Sequence, residues 1–251
     1  MQSPVFQDND VESMERATIA AVAPQQVEEL PGWLLPMDSG SIGRARSAVP
    51  LSHVPAEPGI VRRIEQRYQA AGLPARFRLP EVEAFDALKQ GLRSLDYQPA
   101  QPTWVQIAAT ASVLELVSDS QAQLDERPDA AWAALFLGEG FDPVDGASRV
   151  QNLSRASGTR FASIRQQGRT LAAGAGAFSH GWCSVHGMRT ERESRGRGLA
   201  AQILVGIARL ASQRGIDRIF LQVAEDNEAA LALYRRARFV TVWRYEYWSK
   251  L

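Results

Sequence analysis

Residues 193–204 read ESRGRGLAAQIL, which sets Gly196 and Gly198 one residue apart where a helix should begin. Behind them, AAQILVGIARLASQRG keeps apolar residues at Ile203, Leu204, Ile207, Leu210 and Ala211, a helical period that stops at Gly215. Glycine inside a helix costs about 1 kcal/mol relative to alanine, so folding alone favours a capping side chain here. The turn is instead nearly bare and bracketed by Arg195 and Arg197. Free N–H groups of a first helical turn, with the helix dipole behind them, favour an anion. The stretch reads either as a tight turn with solvated arginines or as an anion cradle, and its surroundings decide.

The chain of 251 residues has room for one large domain or two ordinary ones, and 45% apolar with 22% charged residues suits a globular fold. A formal net charge of zero gives no global pull toward nucleic acid or an anionic membrane. Cys183 is alone, which rules out an intrachain disulfide or a cysteine-based zinc site. The opening MQSPVFQDNDVESMER has neither the basic nor the apolar region of a signal peptide. No run of about 18 apolar residues occurs. The expectation is a soluble cytoplasmic protein with no nucleic-acid or membrane partner, as a monomer or homodimer.

Periodicity and turn residues predict a helix over 11–22, a strand pair at 32–37 and 43–51, a helix over 59–72 and a strand at 75–80. A helix near 82–94 and strands at 103–110 and 112–118 follow. Helical patches near 127–137 and 145–155 flank the loop GEGFDPVDGA. Next come strands at 160–166, 169–178 and 181–189, the 198–213 helix, a strand at 217–223, a helix at 227–237 and closing strands in FVTVWRYEYWSK. GIVRRIEQRYQAAGLPARFRLP and the helix after it parallel AAQILVGIARLASQRGIDRIFLQV and its following helix. The division falls at 1–110 and 111–251. In the first copy Leu92 stands near the position of Tyr234 and no arginine flanks the glycine, so the second half is expected to hold the single active site.

GMRTERESRGRGLAAQIL followed by LQVAEDNEAALALYRRARF resembles the acetyl-CoA-binding core of the GCN5-related N-acetyltransferases. Arg195, Gly198 and Ala200 match the family's R/Q-x-x-G-x-G/A turn. Asn227, Ala230, Leu233 and Tyr234 match its N-x-x-A-x-x-L-Y pattern. The likeness covers roughly 112–251, and the first half resembles the degenerate leading domain of two-domain members. It implies an α/β mixed-sheet, tandem acyl-CoA N-acyltransferase fold. It also implies acetyl-CoA as co-substrate, no metal, and an amine acceptor attacking directly in a ternary complex. Met188, Arg189, Thr190, Arg195, Gly196, Arg197, Gly198, Leu199, Ala200, Asn227, Ala230 and Tyr234 would then contact the co-substrate. Met188 and Thr190 would pair with the pantetheine arm, Gly187 would mark a bulge, and the strand at 217–223 would splay from its neighbour. The family's glycine before Phe239 is Arg238 here, which puts the local geometry after the helix in question.

Acyl transfer needs a neutral amine, a polarised thioester carbonyl and a proton for the departing thiolate. Tyr234 matches the family's usual acid, while its alternative is an aromatic packed on an amphipathic helix. Asn227 also suits a helix N-cap. For the base, His186, Glu115, Glu225 and a water chain all stand as candidates, with His186 first because its ordinary pKa near 6.5 suits neutral pH. By strand alternation His186 and Met188 share a face. Cys183, without an activating partner, reads as buried filler. A neutral chain without acidic or basic tracts favours a small-molecule amine over a protein lysine. A CoA-binding sensor is the rival reading; a P-loop nucleotide site lacks its Lys-Ser/Thr.

Overall fold

The computed structural model describes residues 6–7, 9–138 and 142–250; residues 139–141 of the GEGFDPVDGA loop lie outside them. The first half runs α1 (Asp10–Val22), β1 (Gln26–Leu30), β2 (Trp33–Met37), β3 (Val49–Pro50), α2 (Ile60–Ala70), β4 (Arg76–Pro80), α3 (Asp86–Arg93) and β5 (Tyr97–Ala109). The second runs α4 (Thr110–Leu114), β6 (Gln123–Asp125), α5 (Ala130–Ala134), α6 (Pro143–Arg155), β7 (Thr159–Gln166), β8 (Arg169–Ser179) and β9 (Trp182–Thr190). It closes with α7 (Leu199–Gln213), β10 (Arg218–Ala224), α8 (Glu228–Arg236) and β11 (Val240–Lys250). Among these residues no helix is long and apolar enough to cross a membrane.

One mixed sheet of eight strands runs through both halves in the order β4-β11-β5-β10-β9-β8-β7-β6, and β1-β2-β3 form a separate sheet. Strands are exchanged between the two halves. β10 of the second half pairs antiparallel with β5 of the first, while β4 of the first pairs antiparallel with β11 of the second. β5 and β11 pair with each other at the centre. The helices match in detail. α2 and α7 each follow a glycine in the left-handed region, Gly59 at φ 77° and Gly198 at φ 75°. Each also ends with a bond from two residues past the cap, Leu73 N–H to Tyr68 O and Ile216 N–H to Ala211 O, both 2.9 Å.

α7 buries Ile203, Leu204, Ile207, Ala208 and Ala211 against Val185, Leu221 and Val223 on one sheet face. On the opposite face Met14 and Ala17 of α1 pack with Val105, Ile107, Trp182 and Phe220. Arg78 on β4 makes a buried two-point pair with Glu15 of α1, with Arg78 Nη1 to Glu15 Oε1 at 2.9 Å.

The structure departs from expectation at four places. The strand expected at 112–118 is instead the short helix α4, which packs on α7 with Val113 buried. Thr110 turns the chain there by donating N–H to Asp217 O and its hydroxyl to Ile216 O, each at 2.8 Å. The strand expected at 43–51 is a 3-10 turn at Gly43–Ala45 followed by the two-residue β3. A Cβ on Gly43 would fall 2.7 Å from the Tyr247 ring, so the turn fits only with glycine against it. β1 was not expected. It forms a hairpin with β2 through Pro31 and Gly32, the latter at φ 76°. β5 begins six residues earlier than the 103 start, at Tyr97. Pro99 and Pro102 are tolerated because β10 joins β5 only from Thr103 onward, leaving one side of the earlier stretch unpaired.

Candidate functional site

The site begins where the sheet fails to close. β9 and β10 run parallel and pair only at Ile219–Cys183, Phe220–Ser184 and Leu221–Val185, so the strands part beyond these residues. On its other side β9 slips in register: Ala173 faces Arg189 but Ala175 faces His186, which puts one extra residue at Gly187–Met188. Gly187 has φ 58°, and a Cβ on it would lie 3.2 Å from Leu153 and 3.3 Å from Phe136. The bulge corrects the shared-face expectation. Met188 turns to the α7 side, packing on Gly174 and that core, whereas His186 shares the other face with Arg189.

A cavity of about 750 Å³ occupies the gap. His186, Gly187, Met188 and Arg189 line one side and Gln222 to Asn227 the other, with Ala230 and Tyr234 from α8. Ser41 to Arg44, Gln101 to Thr103, Tyr245, Tyr247, Asp145 and Arg149 complete the wall. The sequence therefore named Met188, Arg189, Glu225, Asn227, Ala230, Tyr234 and His186 on one cavity but named none of the first-half residues that wall it. The signal for that half was thin: a glycine against an aromatic from the far end of the chain.

Past the end of β9 lies the glycine turn. Ser194 and Arg195 close a 3-10 turn by donating to Glu191 O at 3.0 Å and Arg192 O at 3.4 Å, and Arg195 Nε donates to Thr190 O at 3.4 Å. Gly196 and Gly198 sit at φ 77° and 75°, and a Cβ on either would meet nothing within 4 Å. Among the described residues the N–H groups from Arg197 to Ala201 meet no acceptor; the first helical bond runs from Gln202 N–H to Gly198 O. Five free donors, two exposed arginines and the N-terminus of a 15-residue helix therefore face open space together. This arrangement fits the pyrophosphate of a CoA thioester.

Asn227 caps α8, its Oδ1 accepting from Ala230 N–H at 3.2 Å. Tyr234 is buried on the same helix beside Phe239, and burial pushes its phenol up to about 12. Arg238 takes the left-handed position after the helix at φ 61°, and Phe239 N–H still reaches Tyr234 O at 2.9 Å. The helix therefore ends as it would with glycine there.

The base candidates separate. Glu115 lies outside the cavity lining and pairs with Arg238 at 3.1 Å. Glu225 stands in the wall, held by Arg244 Nη2 at 3.1 Å. His186 is buried, with Nε2 2.9 Å from Ser184 Oγ; burial, then the charge of Arg44, pushes its pKa down to about 3. It stays neutral across the working range and is a weak base. Cys183 is fully buried, and burial raises its thiol pKa, so it is not a nucleophile. Among the described residues no cluster of three His, Cys, Asp or Glu side chains is placed to hold a metal ion.

The parted parallel strands, the bulged strand edge and the glycine turn opening a helix define an N-acetyltransferase fold of the GCN5-related superfamily. The family described as "Probable histone acetyltransferase Rv0428c C-terminal" matches residues 9–248, and the chain belongs to it. The uncharacterized N-acetyltransferase YobR of Bacillus subtilis (strain 168) is 24% identical over 245 residues, 95% of this chain and 98% of that protein. A GCN5-related N-acetyltransferase from Kribbella flavida superposes with a TM-score of 0.69 at 17% identity, covering 96% of this chain and 95% of that one. A tandem GNAT protein from the clavulanic acid biosynthesis pathway superposes at 0.58 with 13% identity over 98% and 96% of the two chains.

Proposed function

We propose that the chain moves the acetyl group of acetyl-CoA to a primary amine on a small molecule, by direct attack in a ternary complex. The observation that carries this reading is the walled cavity of about 750 Å³ at the β9–β10 gap, continuous with strand edges that lead to the glycine turn. The family's description names histones, but a cavity walled on one side by the first half suits a compact acceptor better than an extended protein tail. The co-substrate supplies the activated acyl group.

The chain's own residues then divide the work. The N–H groups of Arg197 to Ala201, with Arg195 and Arg197, hold the pyrophosphate. Backbone groups of Met188 and Thr190, on β9 beyond its last pair with β10, pair with the pantetheine amides, and a backbone N–H of the parted strands polarises the carbonyl. Asn227 fixes the start of α8 and with it the position of Tyr234. With its pKa near 12 Tyr234 stays protonated at neutral pH. A free alkyl thiol titrates near ~8.5, so full proton transfer to sulfur is uphill and the phenol acts by donating a strong hydrogen bond. The ammonium proton leaves through Glu225, a part-exposed carboxylate in the wall.

Two variants test the assignment. Tyr234→Phe should keep acetyl-CoA affinity by calorimetry while lowering kcat at least about tenfold; unchanged turnover removes Tyr234 from the role. Glu225→Gln should slow the reaction at pH 7, with the deficit shrinking as pH approaches the pKa of the amine. A deficit independent of pH would contradict proton relay through Glu225.

A further inference from the structure

The first half puts one charged side chain into the cavity whose charge is left unanswered. Arg44 lies on the 3-10 turn at Gly43–Ala45, seated by the close fit of Gly43 against the Tyr247 ring. From there it lines the cavity on the sheet face of His186, away from the α7 face where Tyr234 packs. The other cations of that wall have a carboxylate. Arg149 Nε lies 2.5 Å from Asp145, and Arg189 lies 3.9 Å from the same group. Arg44 has none among the described residues. Its one hydrogen bond is long, 3.3 Å to Gln222 Oε1, an atom that already accepts from Tyr245 OH at 2.9 Å. Arg44 Nε is buried without a partner, and no bond forms from Nη2 to any described residue.

Arg44 is half-buried, and its Nε is withdrawn from water without an acceptor, which is costly. Its fork matches a carboxylate or a phosphate with two parallel bonds. Tyr247, its hydroxyl 3.4 Å from that of Tyr245, stands in the same wall as a further donor. Glu225 and Asp226 line the opposite strand, β10, and its end. The cavity is therefore cationic on the first-half side and acidic on the other. That polarity suits a molecule carrying an anion at one end and an amine at the other. Beyond the amine that meets Glu225 and Asp226, a basic lysine peptide would bring further positive charge against Arg44, Arg149 and Arg189, where Asp145 is the carboxylate of the lining.

We propose that Arg44 binds an anionic group of the acceptor, so that the preferred substrates are amines bearing a carboxylate or a phosphate-like group. This rests on the transferase reading above. It also gives the first half a task, which is to present the residue that selects the acceptor.

The test uses the full chain, acetyl-CoA and matched acceptors: an amino acid, its decarboxylated amine, its aminophosphonate analogue and a basic lysine peptide. The wild type should favour an anionic member by about tenfold or more in kcat/KM. The carboxylate and phosphonate arms show which anion the site is shaped for. Arg44→Gln should pull that ratio toward one, mainly through KM, and Arg44→Lys should restore part of it. Equal use of the decarboxylated amine or of the peptide by the wild type, or a ratio unchanged in Arg44→Gln, would overturn the proposal. A second arm reads binding without turnover, comparing the Tm shift given by the amino acid with that given by its amide. A shift from the acid alone, lost in Arg44→Gln, supports Arg44; equal shifts, or none, count against it. Silence of every acceptor in the thiol assay would overturn the transferase reading instead, and the binding arm would still decide the role of Arg44.

Discussion

Burying His186 as a neutral ring makes the fold sensitive to acid in a way that can be worked out and measured. The folded state holds this imidazole near 3, through burial first and the charge of Arg44 second, while the unfolded chain returns it to its ordinary value of 6.5. Below pH 6.5 the unfolded state takes up a proton that the folded state refuses, so stability present above 6.5 is lost as pH falls toward 3. The slope is about 1.4 kcal/mol per pH unit, so from pH 7 to pH 5 this one group removes about 2 kcal/mol. Glutamine at 186 keeps a polar atom for the Ser184 hydroxyl, 2.9 Å from Nε2 in the wild type, but does not titrate. Urea unfolding of wild type and His186→Gln at both pH values isolates the effect, because every other group titrates alike in the two proteins. The variant should gain about 2 kcal/mol relative to wild type on going from pH 7 to pH 5. Parallel losses in the two proteins would mean that His186 has an ordinary pKa, and would return it to contention as the base.

Two further substitutions test other parts of the account. Gly198→Val places a branched side chain at φ 75° in front of the free N–H groups, and should lower acetyl-CoA affinity at least about tenfold by calorimetry. Since a Cβ there meets no protein atom within 4 Å, the affinity loss should exceed what the strain in the turn does to stability; wild-type affinity would refute the cradle. Glu15→Ala strands the Arg78 guanidinium, 1% exposed, and should cost about 3–5 kcal/mol in urea unfolding. Replacing both partners by methionine should cost much less, and a single-variant loss under about 1 kcal/mol would refute the pairing argument.

Much of the second half was legible because its signals are local. Gly196, Gly198 and the period after them announced α7, the N-x-x-A-x-x-L-Y stretch announced α8, and Gly187 lies at the bulge. What stayed hidden depends on partners distant in sequence. Nothing in β4 or β10 states that each will pair with the closing strand of the other module. The apolar run at 112–118 fits a strand by composition, and only the surface of α7 makes it helical. The face shared by His186 and Met188 was misread for a subtler reason: one inserted residue at a bulge reverses the alternation after it. Arg44 escaped notice because its neighbours, Gln222 and Tyr247, are about 180 and 200 residues away in the chain.

The most direct test of the central claim is thiol release from acetyl-CoA by the full chain across amines, amino acids, polyamines, aminoglycosides and lysine peptides, with the acetylated product identified by mass. The account predicts release stimulated by small amines, one N-acetyl product per thiol. Tight acetyl-CoA binding with no acceptor-dependent release across the panel would contradict it and favour a CoA-binding sensor.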